Sequence, residues 1–306
     1  MRAQKRVDSE KLSSRFRSLF GKEPVLYRAP GRVNIIGEHT DYNDGFVMPM
    51  NTAVYTWVAA SPRNEPFVRV HSVLFDETFE FSLDAIEPGG APAWVEYAKG
   101  VAFILQDQGF ELTGADLLID GEIPLGGGLS SSASLEAVIA TALLGCSGLE
   151  VDPMKVALMC QRAEHEFAGV PCGIMDQAVI CACPEDHAIR LDCRSLEIKP
   201  IPLPKELCLL VVDSGVKHQL SDGGYRQRRS ECDFAIDLLR KREPGVASYR
   251  DVTGPMLAKY ETELGELPFR RARHAVSETL RVREAEKAIA GGKLEALGEI
   301  LNASHA

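Results

Sequence analysis

The sequence predicts an α+β fold. Strand-like patterns crowd the first 120 residues, helical spacing dominates the later stretches, and the regular strand–helix alternation of a doubly wound sheet is absent. Residues 9–20 place Leu12, Phe16 and Leu19 on one helical face. Residues 25–29, 32–36, 53–60 and 67–72 read as strands, and so do 76–83, where Phe79 and Phe81 alternate with polar residues. A helix is expected over 92–102 around Trp94, Tyr97 and Val101, then a strand over 115–120 and an apolar helix over 135–144. The next helix is well punctuated: Asp152 can cap it, Pro153 suits its first turn and Gly169 its exit. Val156, Cys160, Ala163 and Phe167 form its apolar stripe, with Glu164 beside it. The three prolines of 200–206 read as an interdomain connection, 207–213 as a buried strand, and 225–241 and 265–291 as mainly helical. Two domains follow, 1–200 and 201–306.

Composition narrows the partners. A chain of 306 residues can bury roughly three quarters of its unfolded surface. The net charge of −10 opposes polyanions, which argues against nucleic acid or an anionic membrane but not against a nucleotide held by local groups. Eight cysteines form no Cys-x-x-Cys pair and no zinc set, so buried thiols in a reducing compartment are expected. The N-terminal residues lack an apolar secretory core, and no stretch approaches the ~18 apolar residues of a membrane span. The expectation is a cytoplasmic protein. Oligomeric state leaves no readable mark.

Residues 30–49 combine an apolar run (Val33, Ile35, Ile36) with Arg32, Glu38, His39, Asp41 and Asp44. A core strand has no place for such charges unless they are paired or bind something. The resolution is a buried strand that ends in a polar loop suited to a polyhydroxyl ligand.

Gly126, Gly127 and Gly128, followed by Ser130, Ser131 and Ser132, precede a helix. Glycines allow close backbone approach, the helix start offers unpaired N–H groups, and the hydroxyls add donors and an oxygen ligand for Mg²⁺. These residues suit a polyphosphate, and equally a flexible turn with a capped helix. Neither the P-loop pattern nor the dinucleotide fingerprint is present. Asp176 sits in an apolar setting, Cys172-Gly-Ile-Met-Asp-Gln. It can orient an acceptor hydroxyl and take its proton beside a guanidinium such as Arg32, or it can simply cap a helix. Glu164 can offer an oxygen to Mg²⁺ or lie on a solvated helix face.

Together these stretches resemble the galactokinase family, within the galactose/homoserine/mevalonate/phosphomevalonate kinase superfamily. The family signature is matched by Gly31-Arg-Val-Asn-Ile-Ile-Gly-Glu-His-Thr-Asp-Tyr, the superfamily phosphate loop by Pro124 to Ser134, and the segment with the catalytic Asp by Gly173-Ile-Met-Asp-Gln. Trp94 to Gly100, Ala163 to Gly169 and Arg270 to His274 extend the likeness over nearly the whole chain. The resemblance implies a ribosomal-S5-like N-terminal domain and a ferredoxin-like C-terminal one. It implies transfer of the ATP γ-phosphoryl group to the anomeric hydroxyl of α-D-galactose, with Mg²⁺ as cofactor. Asp176 and Arg32 would be catalytic. Glu38, His39, Asp41, Gly173 and Tyr225 would hold the sugar. Trp94 would lie near the adenine, Gly126 to Ser132 would cradle the phosphates, and Ser132 and Glu164 would place the metal. The family's third glycine-rich motif has no counterpart here, and family members continue where this chain stops, so the C-terminal domain is expected to be incomplete relative to the family. Two other readings stay open: a related sugar-1-kinase acting on N-acetylgalactosamine or arabinose, and a non-catalytic sensor of galactose and ATP.

Overall fold

A computed structural model describes residues 6–212 and 224–306, with the side chain of Tyr225 outside that description. The chain runs α1 (Ser9–Phe20), β1 (Val25–Asn34), β2 (Phe46–Val47), β3 (Pro49–Arg63), β4 (Phe67–Ser72) and β5 (Glu77–Ser82). It continues with α2 (Ala93–Asp107), β6 (Gly114–Gly121), α3 (Ser131–Cys146), α4 (Pro153–Ala163), α5 (Met175–Ala182), β7 (His187–Asp192) and β8 (Ile198–Pro202). Helices close it: α6 (Gly224–Arg242), α7 (Gly254–Ala258), α8 (Glu261–Leu264), α9 (Glu266–Ala290) and α10 (Leu294–His305). The α+β expectation holds.

Two compact units share this chain, and they interleave. The first comprises 1–32, 51–172 and 176–182; the second comprises 33–50, 173–175 and 183–306. Packing therefore cuts across the division at residue 200, because the polar loop after β1 joins the second unit.

In the first unit the strands lie in the order β1-β3-β6-β4-β5. β3 and β6 pair antiparallel, Thr56 opposite Gly121 through Arg63 opposite Gly114. β4 and β6 pair parallel, which requires a crossover, and the chain supplies it through β5 and α2. The Asp8 carboxylate caps α1 by accepting from the Glu10 and Lys11 N–H groups, and Gly21 ends the helix in the left-handed region (φ 68°). Leu12 and Phe16 then pack on Ala59 and Leu118. α3 is apolar on nearly every side and is buried accordingly. Asp152, Pro153 and Gly169 act as expected at the ends of the next helical stretch, but its last turn, 164–168, is a π-helix. Gly100 allows α2 to approach that turn, since a Cβ there would meet the Phe167 ring at 2.9 Å.

In the second unit β7 pairs antiparallel with β2 and β8, and Met50 at the start of β3 faces Ala188. Ile36, Phe46, Met48, Ile201, Val282 and Ile289 belong to one buried cluster, which seats α9 beneath the loop after β1. Pro200 and Pro202 do not connect domains: they lie in β8, which pairs only with β7, and an edge strand tolerates residues without an N–H. The buried strand expected over 207–213 is also corrected. Residues 207–212 form no strand, Leu210 is 86% exposed, and Asp213 lies outside the described residues. An apolar run becomes a strand only where a neighbour supplies a ladder, and none among the described residues does so here. No strand follows Pro202 among the described residues. No helix among them is long and apolar enough to cross a membrane, and none of the eight cysteines is disulfide-bonded.

Candidate active site

The first unit brings together Arg32, the glycine loop, Ser130 and Asp176. The strands expected at 25–29 and 32–36 fuse into β1 through Pro30 and Gly31. A Cβ on Gly31 would lie 2.8 Å from the Leu129 carbonyl oxygen, so only glycine lets β1 pass that close to the glycine loop. The Arg32 N–H then bonds the Leu129 carbonyl at 3.1 Å, and Arg32 Nη1 bonds the Gly128 carbonyl at 2.7 Å. The rest of the guanidinium grips Asp176 with both forks, Nε to Oδ1 and Nη2 to Oδ2, each at 2.6 Å. The Ser130 hydroxyl donates to the same carboxylate. Asp176 thus lies in the first turn of α5 but spends its oxygens on Arg32 and Ser130.

The loop carries the backbone conformations its sequence requires. Gly126 and Gly128 have φ of 70° and 73°. Ser130 is also left-handed at φ 57°, a conformation rare for a residue with a side chain. It occupies the N-cap of α3 without capping it, because its hydroxyl points to Asp176 instead. Gly126, Gly127 and Gly128 are exposed at that helix start, whose first N–H groups lack helical partners. Ser131 and Ser132 follow in the first turn.

Glu164 opens the π-turn and is only 4% exposed, which overturns the solvated-face alternative. The Ser132 side chain lies beside it, and burial raises its carboxyl above the usual range. Cys172 Sγ and Gln177 Nε2 donate to Glu164 Oε2 at 3.1 and 2.7 Å. Glu136, fully buried, is pushed well above its ordinary value first by burial and then by the Glu164 charge. Among the described residues no three His, Cys, Asp or Glu side chains form a metal cage. Hard oxygens from Ser132 and Glu164 still fit Mg²⁺, which takes one or two protein oxygens and fills the rest from phosphates and water. Trp94 lies in the first turn of α2 and stacks on Phe75, with ring centroids 6.0 Å apart. Its buried indole N–H has no partner.

The second unit holds Glu38, His39, Asp41 and Gly173. Glu38 accepts from Asn34 Nδ2 at 2.9 Å, and its carbonyl faces His274 Nε2 of α9 at 2.8 Å. His39 Nδ1 and the Tyr42 hydroxyl share a hydrogen bond of 2.8 Å. Thr40 Oγ1 ties the loop by sharing its one proton between the Gly37 and Phe46 carbonyls, at 2.8 and 2.7 Å, while the Gly37 N–H donates to Glu278 of α9 at 2.9 Å. Glu38 and His39 line a cavity of about 490 Å³ with Tyr42, Arg228, Arg271 and His274. Asp41 and Gly173 are pressed together: a Cβ on Gly173 would sit 1.9 Å from Asp41 Oδ2. Gly173→Ala should therefore drive the Asp41 carboxylate aside. The expected result is a KM for galactose at least about tenfold higher, as for a lost hydrogen bond to a charged group, with a fold unchanged by circular dichroism. An unchanged KM would count against Asp41. Tyr225 opens α6, but its side chain lies outside the described residues.

His39 is held down to about 4 by burial first, then by the positive charges of Arg228, His274 and Arg271. Between that value and the ordinary 6.5 the unfolded chain binds the extra proton. His39 therefore contributes stability above pH 6.5 that is lost as pH falls toward 4. From pH 7 to pH 5 the loss should be on the order of 1–2 kcal/mol, and His39→Gln should lose that much less in urea melts at the two pH values.

Sequence reasoning missed Gln177, Glu136 and Glu278 as supports of the site. The available signals were Glu136 one turn after Ser132, and Gln177 directly after Asp176.

Two family models match this chain. Residues 14–62 fit the galactokinase galactose-binding signature, and residues 96–183 fit the N-terminal domain of the GHMP kinases. The chain is 42% identical to a galactokinase of Roseiflexus sp. over 98% of its own length and 77% of that protein's. It is 44% identical to a galactokinase of Chloroflexus aggregans over 95% of its length and 75% of the relative's. A crystal structure of Lactococcus lactis galactokinase complexed with galactose superimposes with a TM-score of 0.89 at 34% identity, covering 97% of this chain and 78% of the other. With the galactose-binding signature over residues 14–62, the kinase domain over residues 96–183 and relatives 42–44% identical along nearly its whole length, the chain belongs to the galactokinase family of ATP-dependent sugar kinases.

Proposed function

We propose that the chain transfers the ATP γ-phosphoryl group to the anomeric hydroxyl of α-D-galactose, giving galactose 1-phosphate and ADP. The single observation that carries this reading is the Asp176 carboxylate, gripped by both forks of Arg32 and by Ser130 at the edge of a glycine loop that opens a helix. A carboxylate held this way presents a fixed acceptor for the sugar hydroxyl proton, and the Arg32 cation beside it favours negative charge building on the transferring phosphoryl group. Exposed N–H groups of the loop and of the α3 start bind the ATP phosphates. Glu38, His39, Asp41 and the Gly173 backbone take the sugar hydroxyls, Tyr225 adds to that grip, and Trp94 offers its ring to the adenine. Ser132 and Glu164 would hold Mg²⁺, which when bound neutralises the charge of the ATP phosphates. Eight cysteines without a disulfide suit a cytosolic enzyme.

The test is ADP release by this chain with galactose and Mg²⁺-ATP, alongside N-acetylgalactosamine and arabinose. The highest kcat/KM is expected with galactose. A higher value with either other sugar would reassign the substrate. Binding of galactose and ATP without ADP release would establish the sensor reading instead.

A further inference from the structure

A small polar cluster lies in the apolar helical core behind the glycine loop. Glu136 and Gln177 are fully buried, and Glu164 is nearly so. Glu136 stands four residues after Ser132 on α3, and Gln177 directly follows Asp176 on α5. Gln177 Nε2 donates to Glu164 Oε2 at 2.7 Å and to Glu136 Oε2 at 3.1 Å. A primary amide has two N–H donors, so both are committed to carboxylates. The Cys172 thiol donates to the same Glu164 oxygen at 3.1 Å. On the other side, Glu136 Oε1 and Gln177 Oε1 have no hydrogen-bond partner.

Packing does not account for this arrangement. A buried carboxyl and a buried amide, each half satisfied, cost stability that apolar side chains of the same size would not. The geometry does account for one thing: it fixes Glu164 next to Ser132. We propose that Gln177, anchored on Glu136, is a positioning residue that clamps Glu164 beside Ser132 as an oxygen donor to the divalent cation of the nucleotide. The inference rests on the kinase reading above. Because Gln177 and Asp176 are neighbours on α5, one helix carries both the proton acceptor and the support of the cation ligand.

Calorimetric binding of ADP to the full chain, with and without Mg²⁺, tests the clamp without turnover and without sugar. Gln177→Leu should lose about 10- to 100-fold of the Mg²⁺-dependent gain in ADP affinity, the usual effect of losing a residue that orients a metal ligand. Its ADP affinity without Mg²⁺ should stay within about twofold, since no partner of the bare phosphates is removed. Glu136→Leu should behave as Gln177→Leu does. Glu136→Gln still offers an oxygen to the Gln177 amide and should keep most of the gain. The clamp is overturned if Gln177→Leu keeps the full gain, or if it weakens ADP equally with and without Mg²⁺. Should Gln177→Leu not fold, equal gains in Glu136→Leu and Glu136→Gln overturn it as well. A wild-type chain whose ADP affinity ignores Mg²⁺ would overturn the kinase reading itself, and the clamp with it.

Discussion

Asp176→Asn is expected to lower turnover with galactose and ATP by about 10²-fold or more, the scale on which a positioned proton acceptor contributes. The substitution keeps the shape of the side chain and its place on α5. It removes the anion, and it replaces one acceptor oxygen by an NH₂ group facing donors. Arg32 presents two N–H groups to the carboxylate and Ser130 a hydroxyl, so one of these contacts turns from attraction to a clash of donors. The KM for galactose should change much less, because the Glu38, His39 and Asp41 loop is untouched. Arg32→Lys provides an independent arm. An ammonium cannot hold two carboxylate oxygens and the Gly128 carbonyl in one plane, so kcat should fall there too. Steady-state kinetics on folded protein decides: an Asp176→Asn enzyme turning over within a few-fold of wild type would remove Asp176 from the chemistry.

Glu278→Ala should be the most destabilising single change in the second unit, at about 3–5 kcal/mol. Glu278 is fully buried on α9. Its carboxylate accepts from the Gly37 N–H at 2.9 Å, the Ser304 hydroxyl at 2.7 Å and Arg281 Nη1 at 2.9 Å. Alanine leaves a backbone N–H, a hydroxyl and a guanidinium facing a void. A loss of this size approaches the whole stability of an ordinary domain, about 5–15 kcal/mol. Glu278→Gln should cost less, about 1–3 kcal/mol, because its amide oxygen still serves part of the set. Urea denaturation of the three proteins checks the order, and a Glu278→Ala midpoint equal to wild type would show that the contacts carry no net energy. Gly37 opens the loop that bears Glu38 and His39, so this variant should also bind galactose more weakly.

The sequence made local structure legible wherever a residue has a chemical reason to stand where it does. Asp8 and Asp152 cap helices, Gly21 and Gly169 end them, and Phe16 and Leu12 point into a core. The acidic loop after an apolar strand and the Gly/Ser turn before a buried helix were readable for the same reason. Contacts made across long stretches of chain were not readable. Nothing in Glu278 or Gln177 as letters reveals that Glu278 will meet a partner 241 positions away and Gln177 one 41 positions away. The run Leu207 to Val212 was misread because hydrophobicity states a wish for burial and does not name the partner. The π-turn at 164–168 was hidden because it has the same composition as an ordinary helix end.

The interleaving of the two units bears on how the chain is made. Phe46 and Met48 share a buried cluster with Val282 and Ile289. At a synthesis rate of about 5–20 residues per second, the early segment leaves the ribosome roughly 10–50 s before its cover has been translated. During that interval its apolar side chains face the crowded cell interior, open to chaperones or to neighbouring nascent chains. Shortened messages that end before α9 would keep that surface bare permanently, so premature termination should send this polypeptide to aggregates and proteases instead of leaving half an enzyme behind.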